Sequence, residues 1–213
     1  MSRALPVAIT VAALVAVGAW LTQPPAPSAR DDAPAAPGPP PAPRGPSPAP
    51  AEPRLGRRLS VDAAIRELEL IRPPRSKVAE DFTASLLGGT RFRLVEQRGT
   101  VVLINFWATW CPPCREEMPS MERLWRRHRD RGFLLVAVSL DSDPALVGPF
   151  MAEHKLTFPV AIDSRLEIAN LYGVRALPTS FVLDRAGTIV ALAQGPRTWD
   201  NDAAHSLIEG LTR

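Results

Sequence analysis

The stretch VVLINFW (101–107) ends four residues before Cys111 and constrains the fold more than any other part of the chain. Seven residues, apolar apart from Asn105, suit a strand covered on both faces, as in a parallel sheet. FLLVAVSL (133–140) has the same character, and the spacing between the two runs predicts a helix from Pro112 to Arg131. Strand, helix and strand make a right-handed crossover unit. Its first strand–helix junction carries the only two cysteines of the 213-residue chain, in CPPC (111–114).

The flanking sequence extends this pattern. LSVDAAIRELELI (59–71) has helical spacing at 61, 64, 65, 68 and 71, with Ser60 or Asp62 as cap, and RPPR (72–75) ends it. RFRLV (91–95) alternates polar and apolar residues. PALVGPFMAEHKL (144–156) predicts a helix, FPVAID (158–163) a short strand, and RLEIANLYG (165–173) a short helix closed by Gly173. TSFVLD (179–184) and TIVALAQ (188–194) are strands joined at DRAG in a hairpin, and WDNDAAHSLIEGLT (199–212) is a closing amphipathic helix. The expectation is α/β, with a parallel start and an antiparallel end.

The two cysteines suit redox chemistry. A structural zinc site needs four ligands, and His128, His154 and His205 do not form a second pair at finger spacing, so no metal is expected. A structural disulfide between residues 111 and 114 closes almost no loop and would constrain the unfolded chain little. A C-x-x-C at a helix start instead switches between dithiol and disulfide. Pro112 suits the first helical turn, where its missing N–H is unpaired anyway, so Cys111 falls at the N-cap. The helix dipole and the free N–H groups there favour a thiolate. Met118, Met121, Trp125 and His128 follow Cys114 on one face, which puts Cys114 on the core side. Cys111, at an exposed helix tip, is expected to attack, and Cys114 to resolve the mixed disulfide. Trp107 is expected in the core and Trp110 as a partial lid.

The N-terminal quarter has a different composition. ALPVAITVAALVAVGAWLT (4–22) is nineteen uncharged residues, about 28 Å of helix, close to the hydrocarbon thickness of a bilayer. The following QPPAPSA is a poor cleavage site, which favours an uncleaved anchor (1–22) over a cleaved signal. Thirteen of the 31 residues from 23 to 53 are proline, a composition that builds no core and favours extended polyproline II. It reads as a tether of up to about 95 Å. A helical lead-in (54–77) and the main domain (78–213) follow. A net charge of +3 implies no polyanion partner, and RLWRRHRDRG (123–132) reads as a solvated helix face and not as a nucleic-acid surface.

FWATWCPPCREEMP (106–119), taken with YGVRALPTSFVLDRAGTIV (172–190), resembles the thioredoxin superfamily, and more narrowly its membrane-anchored TlpA/ResA-type thiol–disulfide oxidoreductases. The resemblance covers about residues 78–212, from VAEDFTASLLGGTRFRL onward; Glu80 stands where a proline is usual. It implies a thioredoxin-like fold, a central mixed sheet flanked by helices, with residues 141–164 as the group's helix-and-strand insertion. It also implies a cis peptide before Pro178, in a loop (Leu177, Pro178, Thr179) that faces the dithiol and offers backbone groups to an extended substrate. Trp110, Pro112 and Pro113 would frame the same site. Glu117 matches the glutamate that the group places beneath its dithiol.

The residue types also bear on direction. Pro112 and Pro113 offer no N–H to a Cys111 thiolate, and no histidine lies between the cysteines, so the reduced form is less favoured than in a strong oxidant. That leans toward a disulfide reductase. Asn105, in the strand, takes no proton; Glu117 shares a helix face with Cys114, whereas Glu116 points away. No flavin or nicotinamide motif appears, and the redox-active disulfide is the only cofactor expected. By resemblance, the partners are extracytoplasmic protein disulfides, apocytochrome c or copper-assembly proteins among them, with a membrane thiol-electron transporter as reductant. A thiol oxidase or disulfide isomerase using the same site, and an assembly factor acting mainly by binding, stay open as alternatives. The mature protein is expected to keep residues 1–22 and to sediment with membranes. N-terminal sequencing that began after Ala29 would overturn the anchor.

Overall fold

The computed structural model describes residues 58–213. The expected anchor (4–22) and linker (23–53) lie outside the described residues. Among the described residues no helix is long and apolar enough to cross a membrane.

The elements run α1 (Val61–Glu67), β1 (Thr83–Ser85), β2 (Arg91–Arg93), β3 (Val101–Trp107), α2 (Pro112–His128), β4 (Phe133–Ser139), α3 (Val147–Glu153), β5 (Val160–Ile162), α4 (Glu167–Leu171), β6 (Thr179–Leu183), β7 (Ile189–Gln194) and α5 (Asp202–Leu211). The central sheet has the order β5-β4-β3-β6-β7, and β1 and β2 form a separate hairpin. β3 pairs in parallel with β4 and antiparallel with β6, so the sheet is mixed. The parallel start and antiparallel end expected from the sequence are both present.

β3 is buried at all seven positions because each face meets a different layer. Val101, Leu103 and Trp107 face a core built with α1, α2, α3 and α5. Val102, Ile104 and Phe106 face a second core, where Phe82, Phe92, Ile168, Tyr172 and Phe181 close the opposite side. Asn105 shares the parity of Leu103 and Trp107 and therefore points toward α2.

Several elements are shorter than their apolar spacing suggests. The helical pattern over 59–71 gives a helix only to Glu67, capped by Ser60. Glu69 turns left-handed at φ 52°, and Ile71 then exchanges two backbone hydrogen bonds with Leu192 of β7. Strand pairing displaces the last helical turn there. The stretch 112–131 is α-helical to His128 and finishes in a 3-10 turn over Arg129–Arg131. Gly132, at φ 77°, supplies the left-handed step that starts β4. The stretch 144–156 opens as a 3-10 turn capped by the Asp143 side chain before α3 begins at Val147.

α1 lies against α5. A Cβ at Gly210 would stand 2.6 Å from Val61 Cγ2, so the absence of a side chain at 210 allows this approach. Residues well upstream of 78 thus share the main core, through Ala64, Ile65, Leu68 and Leu70. At the other end of α2, His128 and His205 meet ring to ring, Nε2 to Nδ1 at 2.9 Å, and His205 Nε2 lies 2.9 Å from Asp200 Oδ1.

Candidate active site

β3 ends at Trp107, and the turn Ala108–Trp110 carries the chain to the N-terminus of α2. Asp141, just past β4 and almost fully buried, fixes that turn. Its carboxylate accepts from Thr109 Oγ1 at 2.6 Å, from the Thr109 N–H, and from Ser139 Oγ at 2.8 Å. The cysteines that follow are therefore held from the adjacent strand as well as from their own helix.

Cys111 is the N-cap of α2, with Pro112 and Pro113 in its first turn. The two sulfurs are joined, with S–S 2.11 Å and Cα–Cα 5.3 Å. Cys111 Sγ also accepts from the Cys114 N–H at 3.3 Å. That bond turns the sulfur along the helix, and here the structure corrects an expectation. Cys111 is not an exposed tip: it is only 4 % exposed, against 0 % for Cys114. Pro112 is exposed and Pro113 half-buried. Trp107 lies in the core as expected, but Trp110 is 66 % exposed. A lid would be covered where it touches the site, so Trp110 borders the disulfide without roofing it.

The peptide Leu177–Pro178 is cis. Thr179 pairs with Phe106, the residue before the last of β3, so Pro178 stands at the same end of the sheet as the disulfide. Pro178 and Thr179 are buried, and Leu177 is half-buried in contact with both cores. The Pro178 carbonyl already accepts from Gly195 N–H, and Thr179 Oγ1 donates to the Ala176 carbonyl.

Glu117 sits one turn below Cys114 and is 4 % exposed, whereas Glu116 is exposed. Its Oε1 accepts from Asn105 Nδ2 at 2.8 Å. Its Oε2 accepts from the Arg197 backbone N–H at 3.0 Å and from Trp199 Nε1 at 3.2 Å. Burial pushes its pKa up, and these three donors pull it partly back, leaving it at about 7. Asn105 Nδ2 also donates to Ser180 Oγ, while its Oδ1 is buried without a hydrogen-bond partner. Turning that amide over would set a carbonyl oxygen against the carboxylate, so the orphaned acceptor follows from the demand of Glu117 for donors.

The structure thus brings Cys111, Cys114 and Glu117 together on α2 and places Pro178 at the same end of the sheet. Sequence reasoning missed Asp141, Ser180, Arg197 and Trp199. Asp141 carried a faint signal, as an acid directly after a buried strand. Arg197 and Trp199 carried none, because some eighty residues and six elements separate them from Glu117. Among the described residues no cluster of His, Cys, Asp and Glu is arranged to hold a metal ion.

A mixed sheet that presents a CxxC disulfide at the head of a core helix, with a cis-proline at the same end of the sheet, defines a thioredoxin-like thiol–disulfide oxidoreductase. The chain belongs to the AhpC/TSA family, which matches residues 76–192, and within the thioredoxin superfamily it is of the TlpA/ResA type. It is 38 % identical over 122 residues to thiol-disulfide oxidoreductase ResA of Bacillus thuringiensis subsp. konkukian, covering 57 % of this chain and 70 % of that one. ResA of Geobacillus thermodenitrificans is 38 % identical over 127 residues, covering 60 % and 73 %. Among solved structures, a DsbE-type thiol:disulfide interchange protein from Chlorobium tepidum superposes with a TM-score of 0.61 at 34 % identity, covering 65 % of this chain and 98 % of that one. StoA from Bacillus subtilis gives 0.51 at 31 % identity, covering 57 % and 92 %.

Two buried groups in this core titrate in opposite senses. Glu117 holds its proton up to about pH 7 when folded and to about 4.5 when unfolded, so its contribution to stability strengthens as pH falls through that window. Burial, then the neighbouring His205, pushes the His128 pKa down to about 4 from 6.5, so its contribution is lost as pH falls between those values. The slopes oppose each other over roughly pH 4.5–6.5. On acidification across that range, Glu117→Gln is expected to lose stability more steeply than the wild type, and His128→Gln less steeply. Urea melts at several pH values check this, and parallel profiles for the three proteins would contradict it.

Proposed function

We propose that this protein is an extracytoplasmic disulfide reductase in which Cys111 attacks, Cys114 resolves and Glu117 takes the proton. The observation that carries the reading is the buried Glu117 carboxylate, one helical turn from Cys114 and tuned close to neutrality. The Cys111 thiolate attacks one sulfur of a client disulfide, forming a mixed disulfide and expelling the other client sulfur as thiolate. Cys114 then gives its proton to Glu117 and attacks Cys111 Sγ. The Cys111–Cys114 bond forms and the second client sulfur leaves, so the client gains the two electrons that the dithiol loses. The three partners of the Glu117 carboxylate are all donors, which keeps the carboxylate available as a base near pH 7.

The same reading makes the cysteine pair the only redox group and gives Leu177, Pro178 and Thr179 the docking of an extended client segment. Trp110, Pro112 and Pro113 offer the exposed margin of that surface. Residues 4–22 would anchor the chain in the cytoplasmic membrane, and 23–53 would hold the domain in the extracytoplasmic space. Clients are protein disulfides there, with apocytochrome c or copper-assembly proteins as the specific candidates. A membrane thiol-electron transporter would restore the dithiol.

Stopped-flow reduction of a model disulfide by the reduced protein, from pH 5 to 9, tests the role of Glu117. Glu117→Gln is expected to slow the reaction by about 10²-fold or more and to flatten its pH dependence, since general-base help is typically worth about 10²–10⁴-fold. Glu116→Gln, on the solvent face, is expected to match the wild type. Coincident profiles for wild type and Glu117→Gln would send the proton to water instead. Direction is tested separately by equilibration with glutathione: a potential near about −270 mV supports a reductase, and one near about −120 mV reverses the assignment.

A further inference from the structure

The carboxylate of Glu117 is clasped from one side by Pro196–Asp200, a segment between β7 and α5. Its contacts step along one edge of α2. The Arg197 backbone N–H and Trp199 Nε1 both donate to Glu117 Oε2. The Trp199 backbone N–H donates to Ser120 Oγ at 3.0 Å, and that hydroxyl donates to the Glu117 carbonyl at 2.6 Å. Asp200 pairs with Arg123. Residues 117, 120 and 123 lie three apart, so the segment runs parallel to the helix axis.

The clasp is itself tied down from the N-terminal side. The Arg197 guanidinium donates to the Leu68 carbonyl at 2.8 Å, to the Glu69 carbonyl at 3.0 Å and to the Pro196 carbonyl at 2.8 Å. It thereby satisfies carbonyls at the C-terminal end of α1 that have no helical donor. Trp199 is 1 % exposed and packs in the core that contains both cysteines. Of the three donors to the Glu117 carboxylate, Asn105 lies within residues 76–192, the stretch that matches the family, and Arg197 and Trp199 lie beyond it.

We infer that residues 196–200, locked by Arg197 to the end of α1, form a positioning strap that sets how readily Glu117 accepts a proton. This rests on the reading of Glu117 as the base for Cys114. Around Glu117, α2 contributes the Cys111–Cys114 pair, β3 Asn105, β6 Ser180 through Asn105, and the strap Arg197 and Trp199. Arg197 alone among these carries a fixed charge. The strap has two opposed effects: its indole excludes water, which disfavours the carboxylate, and its two N–H donors favour it. Trp199 and Arg197 are positioning residues that act through Glu117 without touching the sulfurs in the reaction itself.

Trp199→Phe keeps an aromatic ring in the core and removes one donor from Oε2. With one hydrogen bond to the charged form lost, the midpoint of the pH–rate profile is expected to move up by about one pH unit. The change in midpoint distinguishes this from general loosening, which would lower the rate at every pH. In the wild type, the Trp199 indole ¹⁵N–¹H resonance is expected to titrate with the midpoint of Glu117, near pH 7, and to stop titrating in Glu117→Gln. This measurement needs no strap variant to fold. A folded Trp199→Phe with an unmoved or lowered midpoint, or an indole resonance indifferent to Glu117→Gln, overturns the strap. If instead the indole tracks Glu117 while the wild-type and Glu117→Gln rates coincide, the strap stands and the base assignment fails.

Discussion

One buried carboxylate with three N–H donors connects the parts of this protein that sequence keeps far apart. Removing a carboxylate from water costs several kcal/mol even after the protein relaxes, and only well-placed donors offset that. For Glu117 the donors come from Asn105 in β3, from the Arg197 backbone and from Trp199 after β7. Had any of these elements shifted by an ångström, the charge would be buried with too few partners. The demands of Glu117 thus fix how α2 sits on the central strand and where the chain goes after the sheet.

The cysteines depend on the same placement. The core helix starts where it does because Cys111 caps it with its own sulfur and two prolines occupy positions that need no N–H partner. Asp141 holds the preceding turn from β4. A dithiol at the end of the central strand is therefore braced by the parallel neighbour β4, by the antiparallel neighbour β6 that leads out of the cis-proline, and by α2 itself. This is the arrangement that the crossover unit makes available at the C-terminal edge of its first strand.

Features encoded locally were legible in the sequence. The apolar runs of β3 and β4 matched their strands within a residue, since double-sided burial leaves an uninterrupted apolar pattern. The helical phase placed Cys114, Met118, Met121 and His128 on the buried face of α2, and it separated Glu117 from Glu116. Element ends were less legible: the helical spacing over 59–71 said nothing of the strand bridge from Ile71 to Leu192. The exposure of Cys111 was misjudged because helix phase does not reveal that the sulfur folds back on its own helix. Arg197 and Trp199 had no local signature, because a donor to a buried carboxylate is recognised only once α2 and the segment after β7 have met.

The site's chemistry in turn follows from a scarcity of donors at one group and an abundance at another. The Cys111 sulfur has one N–H partner, from Cys114, since Pro112 and Pro113 have none to give. Glu117, three residues past Cys114, takes three donors and remains a carboxylate over the upper half of the physiological range. A negative group below the sulfurs and a shortage of donors above them act in the same sense. Both leave a thiolate less stabilised, and a less stable thiolate makes the dithiol surrender its electrons more readily. The helix dipole opposes them, but it acts equally on any CxxC at a helix N-terminus, whatever lies between the cysteines. What distinguishes this chain is therefore the pair of prolines and the carboxylate, and together they favour the reducing direction proposed for it.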